Sequence, residues 1–419
     1  MSGNKRKKTI ILSVMLILSM LSLCSCQTFD SFYHTFFEKG TKTKTDTIYI
    51  GVFESQTGKN SEKGNNQIKG IELAHKIYSN VNGQDIALIK VDDQSKSSTA
   101  RGVIKELIKM KPVAIIGSAG NATSLIASSY IGKASIPTIT PSATNPLIAQ
   151  NSGYYFMAGS TSSQQGAGLA EYAYSELKSE RIGIVNIKNE SLTESYVKSF
   201  RNKMKDLEGK KRSEKIVAEA EISITDTKMG KVVKSIQASN VDTVFLPLQT
   251  AQADAFFKAV EKLGMTDVTF LGTEDWGKKD FVKMMKKHPD IRTAFPYNSL
   301  DIDNASSEAS VTREARRFQI EYERMYGDDD IPTQDTALGY DSYLLVINAI
   351  SRSKSLLGAD IRNSLISLSG IHCSTGVFEF DSNGTTVKSV NIATIDRKKI
   401  VPVYTTKSAE KAETIKEIQ

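Results

Sequence analysis

An α/β fold of two lobes, each built on a doubly wound parallel sheet, follows from three features of this 419-residue sequence. Short apolar runs alternate with amphipathic stretches from residue 47 onward, and the alternation starts afresh near residue 165. The chain is also too long for a single hydrophobic core. Repeated β-α-β units with buried strands imply parallel pairing and right-handed crossovers.

The elements can be justified in order. IYIGVF (48–53) reads as a buried strand, and 67–79 as a helix with Ile68, Ile71 and Tyr78 on one face. Residues 86–91 form the next strand, ending in Asp92 and Asp93. Ala100, Val103, Ile104, Leu107 and Ile108 recur at the i, i+3, i+4, i+7, i+8 spacing of a helix lying on a sheet. VAIIG (113–117) runs into the loop SAGNATS and another helix, and PTIT (137–140) runs into PSATNP. The second round comprises a helix at 165–178, the strand RIGIVNI, a helix at 192–207, and the strands KIVAEAEI and VDTVFLPL. A helix at 253–263 with Phe256 and Val260 inward and the strand VTFLG (268–272) follow, and this sheet is expected to continue to about Tyr297. Helices over 308–326 and 336–353 are expected back on the first lobe. GVFEF and VNIATID close the fold, and KSAEKAETIKEIQ is a charged tail.

The N-terminus bears on location. Lys5, Arg6, Lys7 and Lys8 precede an apolar stretch, residues 9–23, that is too short to span a membrane and stay there, so residues 1–25 read as an export signal. Leu23, Ser25 and Cys26 resemble the lipobox of bacterial lipoproteins, which implies acylation of Cys26 and an extracytoplasmic chain held on the bacterial cell membrane by lipid. Residues 26–47 then form a tether. Its aromatic first half, FDSFYHTFF, either lies at the headgroup level or forms a short helix packed on the domain.

Charge argues against a nucleic-acid partner. The signal holds four of the 54 basic residues and none of the 47 acidic ones, so the remainder carries 50 against 47 with no concentrated basic patch. Cys373 is the one cysteine outside the signal and the anchor, which leaves no intrachain disulfide for the mature domain. Enzyme signatures are missing: there is no GxGxxG after the first strand, no P-loop, and no nucleophile elbow. His34, His75, His288 and His372 lack metal-ligand spacing, so no catalytic residue, metal or cofactor is expected.

Open α/β sheets bind ligands at the carboxyl ends of their strands. There the first lobe offers Asn121, Thr123 and Ser124 before a helix, then Ser142 and Thr144. The second offers Gln249, Thr250 and Glu274 beside Trp276, the sole tryptophan. Donors for an anion on one lobe and a carboxylate on the other suit a zwitterion. Ser, Thr and Asn also favour such positions as ordinary caps and turns. Trp276 could be an apolar wall of the site or a core residue.

IGVFESQTGKNSEKG with GIELA, IIGSAGNATS, TITPSATNP, FMAGSTSSQQGAGLAEY, FLGTEDWG, ALGYDSYLLVINAI and GVFEFDSNG occur in an order and spacing that resemble type I periplasmic binding proteins. The closest resemblance is to the branched-chain-amino-acid-binding components of ABC transporters, over about residues 48–405. It implies three hinge crossings, near residues 160–164, 297–300 and Gly376. The first lobe would comprise 48–162 and 299–375, the second 163–298 and 376–405, with 406–419 as the tail. It also implies that Asn121, Ser142 and Thr144 meet a ligand carboxylate and that Glu274 meets an α-ammonium. The family's second-lobe aromatic falls near Ser191, and its tyrosine near Gln249 or Thr250, so the side-chain pocket departs from the family. The expected role is capture of a small ligand, an amino acid or a relative, by a monomer that delivers it to an ABC permease. A sensing receptor of the same fold, a binder of neutral amides, and a surface enzyme on a Rossmann-like scaffold are the alternatives.

Overall fold

The computed structural model describes residues 47–211, 213–265, 267–297, 313–397 and 399–406. The signal, Cys26, the tether, the stretch 298–312 with its expected crossing, and the tail beyond residue 406 lie outside the described residues.

The first sheet collects β1 (Ile48–Glu54), β2 (Asn80–Val81), β3 (Gln84–Asp92), β4 (Ala114–Gly117), β5 (Thr138–Thr140) and β6 (Tyr155–Met157), in the order β2-β3-β1-β4-β5-β6. β1 pairs parallel with both β3 and β4, so the winding reverses at β1/β4 and leaves a crevice beyond Glu54 and Gly117. Its crossovers are α1 (Ser61–Ile77), α2 (Ser97–Lys109), α3 (Asn121–Ala134) and the short α4 (Leu147–Gln150). The apolar stripe of α2 lands as the spacing predicts, with Ala100, Ile104 and Leu107 buried.

The chain then enters α5 (Ser162–Ser175), whose start is fixed by a capping box between Thr161 and Gln164. The second sheet follows: β7 (Ile182–Ile187), α6 (Ser191–Glu208), β8 (Ile216–Ile222), α7 (Gly230–Gln237), β9 (Thr243–Phe245), α8 (Thr250–Lys262), β10 (Thr269–Leu271), a 3-10 turn at Glu274–Gly277, α9 (Lys279–Met285) and β11 (Arg292–Pro296). Its order is β15-β14-β11-β10-β9-β7-β8. The parallel part ends at β11, and β14 (Asn391–Asp396) and β15 (Lys399–Thr405) add an antiparallel edge. β15 escapes sequence reading because Pro402 interrupts it. An edge strand tolerates a proline, and a bulge at Ile392/Ala393 adjusts the register opposite.

Between these runs, α10 (Arg313–Tyr326) and α11 (Gln334–Arg352) pack on the first lobe, and so does α12 (Gly358–Ser367), which the sequence reading did not include: Phe318, Tyr322, Tyr340 and Ile361 share a core with Ile50, Val52 and Ile71. Glycine makes this return possible. A Cβ on Gly70 would sit 1.8 Å from the Thr336 carbonyl oxygen, and one on Gly339 2.2 Å from that of Gln67, so α1 and α11 meet backbone to backbone.

One expected boundary needs correction. The hairpin β12 (Ile371–Cys373) with β13 (Gly376–Phe378) belongs to the first lobe, where Phe378 and Phe380 join the core and Thr385 bridges to Met157. Val390 packs with Leu169 and Ile392 in the second lobe. The third crossing therefore lies between Thr386 and Val390, not near Gly376. The apolar residues of GVFEF bind it to the first core.

Candidate functional site

The first-lobe half is built from the loops after β4 and β5. Asn121, the first residue of α3, uses its side-chain carbonyl to accept the backbone N–H groups of Thr144 (2.8 Å) and Asn145 (2.9 Å), while its amide donates to Thr144 Oγ1 at 3.3 Å. The two loops are thereby locked together. Thr123 and Ser124 turn inward: Thr123 Oγ1 donates to the Gly120 carbonyl at 3.0 Å, and Ser124 Oγ to the Ser118 carbonyl at 3.0 Å. Both side chains are buried and bonded within the loop. Ser142 Oγ accepts from Gln67 Nε2, and its carbonyl accepts from Lys63 Nζ at 3.2 Å.

Beneath this loop lie two acids, Glu54 and Asp93, that the sequence alone does not assign to the site. Glu54 is fully buried and accepts the Ala119 N–H at 2.8 Å. Burial pushes its carboxyl well above the usual range, and the neighbouring charges of Asp93 and Asp335 push it further. Asp93 is satisfied by the hydroxyls of Ser55 and Ser118 and the N–H of Ser95.

The second-lobe half centres on Glu274, which opens the 3-10 turn after β10. Glu274 Oε2 accepts the hydroxyl of Tyr196 from α6, and that hydroxyl also lies 2.7 Å from Gln165 Oε1 on α5. The three groups meet inside the second lobe. Burial raises the Glu274 carboxyl above its ordinary value and the charge of Asp275 adds to this, while Lys63 and the Tyr196 hydrogen bond oppose it. For Asp275 burial also disfavours ionisation, but Lys278 at 2.7 Å and Lys63 outweigh it and hold the carboxyl low. A cavity of about 930 Å³ opens between α1 and the stretch 329–335 of the first lobe and residues 277–286 of the second, with Lys59, Lys63, Lys278, Lys283 and Asp335 among its walls and without Glu274, Tyr196, Asn121 or Thr144 among them.

Three expected site residues stand apart. Gln249 is exposed at the start of α8 and its side chain makes no capping bond. Thr250 is spent on Asp280, at 3.0 Å. Trp276 is fully buried in the second-lobe core: its indole lies against Gly272, stacks on Phe281 with centroids 4.6 Å apart, and donates Nε1–H to the Leu248 carbonyl at 2.9 Å. It is a core residue and walls no site. Conversely, Tyr196, Gln165, Lys63 and Gln67 went unnoticed in the sequence. Tyr196 belongs to the helical stripe Tyr196, Val197, Phe200 and Met204 that reads as core, and its buried ring is indeed core. Only the hydroxyl has a second use.

A family profile described as "Periplasmic binding protein" matches residues 47–399. The chain belongs to the periplasmic binding protein family. Among solved structures it is similar to a leucine-binding protein (LivK) of Thermotoga maritima, with 22% identity, 85% of this chain and 98% of that one covered, and a TM-score of 0.71. It is similar too to the branched-chain amino acid transporter substrate-binding protein LivJ of Streptococcus pneumoniae in complex with isoleucine, with 23% identity, 85% and 99% covered, and a TM-score of 0.70. A solute-binding protein of an ABC transporter from R. palustris in complex with 4-hydroxybenzoate is 18% identical, with 89% and 100% covered and a TM-score of 0.71. These likenesses show the two-lobed α/β fold. An "Amino acid binding protein" of Pseudomonas aeruginosa is 29% identical over 148 residues, which span 34% of this chain and 39% of that relative. Family members are substrate-binding proteins, and among the described residues no helix is long and apolar enough to cross a membrane.

Proposed function

We propose that this protein captures a free amino acid, or a close zwitterionic relative, between its lobes and delivers it to an ABC permease while held on the membrane by a lipid on Cys26. The observation that carries the ligand class is the acceptor Glu274 at a strand-end loop of the second lobe, taken together with the strand-end loops of Asn121, Ser142 and Thr144 in the first. An ammonium group would supply the charge that Glu274 lacks, and the strand-end loops would take the carboxylate. Desolvated polar groups of this kind reject ligands that leave them unpaired. Closure of the lobes about the crossings would present both to the permease.

A second reading, a carboxylate ligand without an ammonium group, is favoured by the lysines of the cavity and by the 4-hydroxybenzoate carried by the R. palustris neighbour. Calorimetry separates the two. The amino-acid reading expects micromolar or tighter binding of at least one free L-amino acid and much weaker binding of its amide and N-acetyl derivatives. Retained affinity for the N-acetyl form with loss for the amide would favour the carboxylate reading. Cys26→Ala should leave the protein unprocessed or released from membranes, and an unmodified mature N-terminus at any other residue would end the anchor proposal.

A further inference from the structure

The Tyr196 hydroxyl has one proton and two acceptors. It contacts both Gln165 Oε1 and Glu274 Oε2, and an ionised carboxylate can only accept. Gln165 cannot relieve this by turning its amide over, because its Nε2 already donates to the Ser160 carbonyl at 2.9 Å. A flipped amide would set two carbonyl oxygens against each other. The phenol is 1% exposed and Gln165 is buried, so the phenol's proton is held away from bulk water, while Glu274 beside them is partly exposed.

We propose that ligand capture here is proton-linked: while the cleft is empty Glu274 carries the proton that Tyr196 cannot share, and it releases that proton to solvent when a ligand ammonium arrives. With Glu274 protonated, the carboxyl donates to the Tyr196 oxygen and the phenol donates to Gln165, so every group is paired. When R–NH3+ binds, the carboxyl O–H breaks, H+ leaves to water, and the carboxylate accepts from the ammonium.

The charged groups around Glu274 agree with this assignment. Asp275 on the same turn is a like charge. Lys63 from α1 and Lys278 are the nearby cations, and both also hold Asp275 ionised, Lys278 through a 2.7 Å ion pair. Asp335 from α11 draws further on Lys278. Of two adjacent carboxyls, Asp275 keeps the charge and Glu274 the proton, which is the direction in which burial and Asp275 move Glu274.

This inference rests on the reading of Glu274 as the ammonium partner, and two measurements keep their failures apart. In ligand-free protein, the infrared difference spectrum between wild type and Glu274→Gln should contain a protonated-carboxyl band that persists above the ordinary glutamic acid midpoint of about 4.3. A Glu274 band that titrates at the ordinary midpoint overturns the inference, whether or not any amino acid binds. With an amino acid that binds, calorimetry in buffers of different ionisation enthalpy should show proton release approaching one per ligand below the raised midpoint and vanishing above it. Affinity should rise by up to about tenfold per pH unit and then level off. Tyr196→Phe removes the phenol oxygen that accepts from the protonated carboxyl, so its release profile should move to lower pH, a shift that a purely structural role for the ring would not produce. Buffer-independent heats from pH 5 to 8 with clear binding would leave the amino-acid reading intact and overturn the proton linkage.

Discussion

In the first lobe the loops facing the cleft are tied down by their own side chains, Asn121 across to Thr144 and Asn145, Thr123 and Ser124 back to the loop behind, whereas in the second lobe Glu274 rests on the single hydroxyl of Tyr196. In the first half the loop residues Asn121, Thr123 and Ser124 are bonded among themselves, while Glu54 Oε1 and Gln67 Oε1 are buried without a partner. The other is short of a proton or a cation. A site assembled this way can hold its shape when empty on one side and keep its electrostatic demand on the other.

Substitutions can break or sharpen that contrast. The largest effect is expected at Trp276, a residue adjacent to the second-lobe half but outside it. Trp276→Ala should cost about 3–5 kcal/mol of stability, because it removes a fully buried ring stacked on Phe281. Denaturant unfolding measures this, and an intact fold with only weakened ligand binding would return the tryptophan to the site. Glu274→Ala comes next, with a loss of about 2–5 kcal/mol in binding and little change in stability. Calorimetry showing unchanged affinity for an amino acid would reduce Glu274 to a turn residue.

The first lobe should respond in the opposite sense. Asn121→Ala leaves two loop N–H groups without their acceptor and should cost about 1–3 kcal/mol of stability, with affinity falling as a consequence of a loosened loop. Asn121→Asp keeps an acceptor and should recover most of the stability. Equal binding losses with no stability change in either variant would make Asn121 a direct ligand contact. The smallest effect is expected at Thr250, whose hydroxyl is engaged with an exposed Asp280. Thr250→Ala should change affinity and stability by no more than about 0.5 kcal/mol. A tenfold loss of affinity would show that α8 swings toward the ligand on closure.

The raised Glu274 carboxyl adds a pH signature to the same contrast. A carboxyl whose folded-state midpoint lies above its unfolded value contributes stability that is fully present below the unfolded midpoint, about 4.3, and lost as pH rises through the folded one. Ligand-free wild type should therefore lose stability relative to Glu274→Gln as pH rises through that window, and thermal unfolding across pH 4 to 8 measures the difference. Identical profiles would mean that the carboxyl is already ionised when the cleft is empty.

The alternation of apolar strands with amphipathic helices, the restart of that alternation in the second lobe, and the return of the late helices to the first were all legible in sequence. They depend on local periodicity and on burial, which each residue carries with it. Glu274, Thr144 and Asn121 were legible as residues for the same reason: they stand on strand-end loops where a parallel sheet leaves backbone ends free. Their uses were not. Whether Asn121 faces a ligand or braces a neighbouring loop depends on a residue more than twenty positions away in the chain, and whether Trp276 is wall or core depends on Gly272 and Phe281 closing around it. The third crossing was misplaced because the hairpin of Ile371–Cys373 with Gly376–Phe378 reads alike in either lobe, and only packing against Ile50 and Val52 assigns it. The shared proton of Tyr196, Gln165 and Glu274 depends on three helices and turns meeting at one hydroxyl, a coincidence in space that periodicity along the chain does not encode.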